Sequence, residues 1–138
     1  MGTPQFVQAR SVLAVLVVAA SLAGSVAAAP LSDASAVKTL IQRETALFNA
    51  GSWRALYALY TPSFRAKCAF GVWSAANRQF RRQTGPVTTA NITVRVTGNR
   101  ALANYVIKSR TGKVLARAKG DVYLKIGGRW LDEESACA

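Results

Sequence analysis

The chain has 138 residues, with 18 Lys and Arg against 6 Asp and Glu, a formal net charge of +12 and no His. That length supports one domain, and a hydrophobic content of 51% is too high for a disordered tail. Without His, no Ser-His-Asp or Cys-His nucleophile can form within the chain. His-ligated zinc is excluded too, and the 2 Cys are too few for an all-Cys zinc site. No metal and no cofactor is expected.

The first segment reads as an address. Arg10 is the only charged residue before Asp33. An apolar run from Ser11 to Ala23 follows, shorter than the about 20 residues of a membrane-spanning helix. Val26-Ala27-Ala28 has the small-x-small form that a signal peptidase needs. The expectation is a signal peptide over residues 1–28, cleaved after Ala28, and a mature domain over 29–138. The product is then secreted or extracytoplasmic. The alternative is an uncleaved N-terminal anchor over Ser11 to Ala29. Export places the even pair Cys68 and Cys137 in an oxidising compartment. Two Cys allow one intramolecular pairing. It closes a loop of about 70 residues, worth roughly 3–4 kcal/mol in the chain-entropy treatment. A reactive thiol is the alternative.

Ser32 or Asp33 is a good N-cap. Beyond it Val37, Leu40, Ile41, Leu47 and Phe48 recur at helical spacing, and Gly51 ends that helix. Ser52 caps a second, short helix with Trp53, Leu56, Tyr57, Leu59 and Tyr60 on its apolar face, and Pro62 ends it. Phe64 to Ala69 is expected to be extended. Trp73 to Gln83 reads as a third helix, with Val72, Ala76 and Phe80 inward and Arg78, Arg81 and Arg82 outward. The period then switches to two. Ile92, Val94 and Val96 alternate with polar residues, and Gly98-Asn99 marks a hairpin turn. Ala101, Ala103, Tyr105 and Ile107 share the next inner face. From Val114, the row Val114 to Ile126 at even positions is expected to meet the helices. Arg117, Lys119, Asp121, Tyr123 and Lys125 fall on the other face. Gly127-Gly128 turns into a last strand, Arg129 to Glu133. Helices followed by an antiparallel meander indicate an α+β fold, with helices packed on one face of the sheet.

This order resembles the nuclear transport factor 2-like superfamily and its SnoaL-like group. The resemblance rests on Ala46 to Tyr60 and Gly98-Asn99-Arg100-Ala101. It also rests on Gly120-Asp121-Val122-Tyr123-Leu124-Lys125 and Gly127-Gly128-Arg129-Trp130-Leu131-Asp132. It covers about residues 33 to 134, with Ser52 where the family usually has Asp. It implies a cone-shaped fold, a curved antiparallel sheet wrapped on N-terminal helices around an apolar pocket. Members include isomerases, cyclases, dehydratases and epoxide hydrolases, and also non-catalytic modules. The fold therefore leaves function open.

The candidate residues favour the module. No carboxylate is placed inward: Asp33 reads as a cap, Glu44 as offset from the apolar stripe, and Asp121 as outward. Asp132, Glu133 and Glu134 lie near the solvated chain end. No catalytic residue is therefore assigned. Trp53, Tyr57, Tyr60, Phe64, Trp73, Phe80, Tyr105 and Trp130 are the candidate pocket lining, for a small apolar ligand. Their plainer role is core. Arg95, Lys108, Arg110, Arg117, Lys119 and Lys125 are the candidate anion-binding face, for an anionic cell-envelope polymer or lipid surface. Their plainer role is solubility. Export argues against nucleic acid. The resemblance implies an open sheet face that often pairs, and the cations on it oppose self-pairing, so a monomer or homodimer is expected. The expectation is a secreted, non-catalytic binding module. The alternative is an isomerase, dehydratase or cyclase that uses a pocket Tyr and a carboxylate.

Overall fold

The computed structural model describes residues 31–137, so the signal peptide expected over 1–28 lies outside the described residues. Helix α1 (Asp33–Ala50) begins at Ser32, whose hydroxyl accepts the Ser35 N–H at 3.2 Å. It ends at Gly51, held at φ 69°, where the lack of a Cβ avoids strain and its N–H bonds the Phe48 carbonyl at 3.1 Å. Val37, Leu40, Ile41 and Phe48 form its buried stripe. Helix α2 (Trp53–Tyr57) follows, burying Leu56.

The next two segments depart from expectation. Residues around Phe64 are helical, not extended: α3 spans Pro62–Lys67. Pro62 opens this helix because its fixed φ and missing N–H suit a first helical position. Thr61 caps it by accepting the Phe64 N–H at 3.1 Å. Helix α4 runs Phe70–Thr84 and buries Trp73 and Ser74. Val72, expected inward, is 58% exposed, and Phe80 lies near the surface. The inward stripe is thus set by Trp73, one position from the expected phase.

Four strands form one antiparallel sheet in the order β1 (Val87–Thr97), β2 (Arg100–Ser109), β3 (Val114–Ile126), β4 (Arg129–Asp132). The sheet curves into a half-barrel with the helices packed against it, an α+β cone of the nuclear transport factor 2-like shape. Asn49 anchors α1 to the sheet: its side chain donates to the Val87 carbonyl at 2.8 Å and accepts the Val87 N–H at 2.9 Å.

Three register shifts interrupt the ladders, between Ala90 and Thr93, between Ala103 and Tyr105, and between Ile107 and Lys108. The second decides the site. Gly120 there holds φ 66°, a conformation that favours glycine, and its N–H bonds the Asn104 side chain at 2.8 Å. Before the bulge, Ala116 and Ala118 stand opposite Ile107 and Tyr105 on the helix side. After it, Asp121 and Tyr123 stand opposite Ala103 and Ala101, both 0% exposed. One extra residue reverses the alternation. Asp121, Tyr123 and Lys125, expected outward, therefore face the helices, and Ile126 is exposed instead.

β4 is clamped on both sides. The Asp132 N–H bonds the Leu59 carbonyl at 2.9 Å, the Thr61 N–H bonds the Asp132 carbonyl at 2.8 Å, and the Glu133 N–H bonds the Val122 carbonyl at 2.8 Å. The Thr61 hydroxyl also donates to the Glu133 carboxylate. A disulfide joins Cys68 to Cys137, 69 positions apart, as the cysteine count suggested. Replacing both by Ala should cost about 3–4 kcal/mol of stability, read from urea denaturation of the double variant beside the oxidised protein.

Candidate active site

The helices and the concave side of the sheet leave a cavity of about 200 Å³. Ile41, Phe48, Leu56, Val87 and Ile107 give it apolar walls, and Tyr60, Tyr105, Thr45, Thr89 and Asn77 add polar groups. Three carboxyls complete the lining: Glu44 from α1, Asp132 from β4 and Glu134 from the segment after it. A fourth, Asp121, stands beside them on β3.

A hydrogen-bonded relay connects the group. Tyr105 Oη donates to Asp121 Oδ2 at 2.6 Å. Tyr123 Oη lies 3.2 Å from Glu44 Oε2 and 3.3 Å from Asp121 Oδ2, so its one proton is shared between the two carboxyls. Glu44 Oε1 and Asp132 Oδ1 are buried with no hydrogen-bond partner. Asp132 as a whole is 3% exposed. Among the described residues, no Lys or Arg lines the cavity. The one ion pair among the described residues, Lys125 with Asp33 at 2.8 Å, lies outside this lining. That bond and the Trp130 indole hold the Asp33 carboxyl below its usual range.

Burial and like charge act in the same direction here. Loss of solvent, then the Asp121 charge, pushes Glu44 up to about 8, against the opposing hydrogen bond from Tyr123. Loss of solvent, then Glu44 and Asp121, pushes Asp132 well above the usual carboxylate range. Glu134 rises for the same first two causes, burial and Asp121. Burial also raises Tyr60, Tyr105 and Tyr123, which stay protonated. At neutral pH Glu44 is thus held protonated at the cavity, able to donate a proton and to take it back.

Of the aromatic residues expected to line a pocket, Tyr60, Phe80 and Tyr105 do so. Trp53, Tyr57, Phe64, Trp73 and Trp130 stand elsewhere. Tyr57 donates to the Cys68 and Arg65 carbonyls. Trp73 packs between Tyr57 and Tyr60, with ring centroids 5.2 and 5.4 Å away, and Phe64 stacks on Tyr60 at 4.8 Å. Trp53 meets Phe48 edge-on at 5.6 Å, and Trp130 donates to Asp33 at 3.0 Å. On the cationic side, Arg95, Arg110, Arg117 and Lys119 are exposed and Lys108 is half-buried. Lys125 leaves that face for the helix side, where it pairs with Asp33.

The carboxyls escaped the sequence reading, yet each left a signal. Glu44 lies three residues after Ile41 and four before Phe48, in phase with the buried stripe rather than offset from it. A glycine inside a strand, Gly120, marks a bulge that turns Asp121 inward. Asp132 alternates with the buried Trp130, and Cys137 ties down the end that follows.

No protein-family model matches the chain, and no curated protein matches it either. Its helices on a curved antiparallel sheet have the shape of nuclear transport factor 2-like folds. The chemistry is therefore read from the cone itself.

Raised carboxyl pKa values set the sign of the stability profile. The folded state holds protons that the unfolded chain has released, so stability is full below about pH 4 and falls as pH rises toward 8. Each such group contributes up to about 1.4 kcal/mol per pH unit of that window. The urea midpoint should therefore drop between pH 5 and 8, and Glu44→Gln should flatten the slope.

Proposed function

We propose that the protein is a SnoaL-like enzyme of the isomerase, dehydratase or cyclase kind, moving a proton on a small molecule held in the cone. One observation carries this reading: Glu44 presents an unpartnered oxygen at the cavity, while its other oxygen is held by Tyr123. A general acid–base needs a fixed orientation and a pKa near the working pH. The Tyr105–Asp121–Tyr123 relay supplies the first, and burial beside Asp121 supplies the second. Glu44 donates its proton to a substrate oxygen or carbon and recovers one as the product forms. Tyr60 also lines the cavity, where its hydroxyl steadies developing negative charge by hydrogen bonding. The apolar walls hold the hydrocarbon part and keep water out.

These inward carboxyls favour an enzyme over the non-catalytic module. Export remains part of the proposal, supported by the run from Arg10 to Ala28. N-terminal sequencing of protein recovered outside the cell should give a chain beginning at Ala29; a start at Met1 would remove this part.

The catalytic step is tested by deuterium exchange. Small ketones and β-hydroxy carbonyl compounds are incubated with the protein in deuterated buffer and followed by NMR. Glu44→Gln should slow exchange by about a hundredfold to ten-thousandfold, with circular dichroism unchanged. Equal rates in the two proteins would refute the assignment of Glu44.

A further inference from the structure

The charge distribution of the molecule is lopsided in a way that points to a ligand. The chain holds 18 cationic side chains against 6 acidic ones. Yet Glu44, Asp121, Asp132 and Glu134 gather at one cavity, and among the described residues no cation lines it. Ordinarily a buried carboxyl in so basic a protein would find an Arg or Lys. Here Asp132, 3% exposed, keeps Oδ1 without any partner, and Glu44 keeps Oε1 likewise. Among the described residues, the titratable groups that face Asp132 are acidic or phenolic: Glu44 from α1, Asp121 and Tyr123 from β3, Tyr105 from β2, Tyr60 after α2, and Glu133 and Glu134 beyond β4. Arg81, on α4, turns to the Asn49 carbonyl at 3.1 Å instead. Nor do the acids converge as metal ligands: among the described residues no three His, Cys, Asp or Glu side chains are grouped to hold an ion.

From this juxtaposition of unpartnered, buried carboxyl oxygens with an apolar wall, we propose that the cone takes a small molecule bearing a protonated amine, its ammonium seated at Asp132 with Glu134 beside it. The inference rests on the cone being the substrate site and names the substrate class. An ammonium brings a positive charge and donors with no acceptor, so it compensates the buried Asp132 carboxylate and its orphan Oδ1 as a neutral alcohol cannot. Ile41, Phe48, Leu56 and Ile107 receive the hydrocarbon part. The roles then divide: Asp132 gives up its proton and pairs with the ligand, while Glu44, held by Tyr123, stays free for proton transfer. The exterior cations oppose this ligand only at long range, where salt screens them beyond about 8 Å.

The test compares benzylamine with its neutral counterpart benzyl alcohol, by calorimetry on the oxidised full domain. Buffers of differing ionisation enthalpy count the protons released on binding. Benzylamine should bind at least about tenfold tighter than the alcohol, release a proton at pH 7, and tighten as pH rises toward 8.5. In Asp132→Asn both the preference and the proton release should vanish. The wild-type comparison decides the matter even if that variant fails to fold. Equal binding of the two probes, no proton release, or no binding of benzylamine would each overturn the proposal. The two readings fail separately. If Glu44→Gln abolishes exchange but the amine shows no preference, the substrate class alone is wrong. If the amine binds as expected but exchange is insensitive to Glu44, the catalytic assignment alone is wrong.

Discussion

The clamp on β4 is the constraint on which the rest of this structure depends. A four-residue strand has little stability of its own. It persists because β3 holds one edge, the backbone of Leu59 and Thr61 holds the other, and the disulfide fixes the chain end beyond it. That arrangement closes the sheet against the α2–α3 connection and buries Trp130, Leu131 and Asp132 in succession. Without it the cone would open on its acidic side, and water would reach the carboxyls. The upward shifts of Glu44 and Asp132 would go with it, because desolvation is their first cause.

The same clamp explains how a strongly basic protein keeps an acidic interior. Cations on the long side chains of Lys and Arg can reach solvent from almost any surface position. Short carboxyl side chains cannot, once the backbone that carries them is pinned. Asp132 sits on a strand bonded along both edges, Asp121 follows a bulge that turns it inward, and Glu44 lies in the buried stripe of α1. The three are brought together by three different elements, and each is costly to bury alone. Their grouping beside a cavity is what distinguishes a site from a fault in the core. Such perturbed groups cluster where chemistry or binding needs them.

The polar relay within this group also has a structural role. Tyr123 is fully buried, and its hydroxyl would be a liability without Glu44 and Asp121 as acceptors. Tyr105 is tied to Asp121 in the same way. The relay fixes the height of α1 above the sheet, together with Asn49 at Val87 and the Thr45–Thr89 hydroxyl contact of 3.2 Å. Site geometry and core packing are thus the same set of contacts.

The sequence by itself determined the local elements and their order. Ser32 and Gly51 bound the first helix, Gly98-Asn99 and Gly127-Gly128 set the hairpins, and the switch of period separates helices from strands. Local sterics and capping govern these features, so nearby residues suffice to read them. The pairing of Cys68 with Cys137 was legible as well, since two cysteines leave one intramolecular choice. The inside of the cone was decided only by tertiary structure. Side-chain direction beyond Gly120 depends on a bulge, and a bulge is defined by the partner strand. The burial of Asp132 depends on the Leu59–Thr61 backbone, some 70 positions away along the chain. Even Glu44, in phase with its own helix, became a site residue only when Tyr123 and Asp121 arrived opposite it. Alternation and capping are local rules, whereas the protonation of a carboxyl depends on everything that surrounds it.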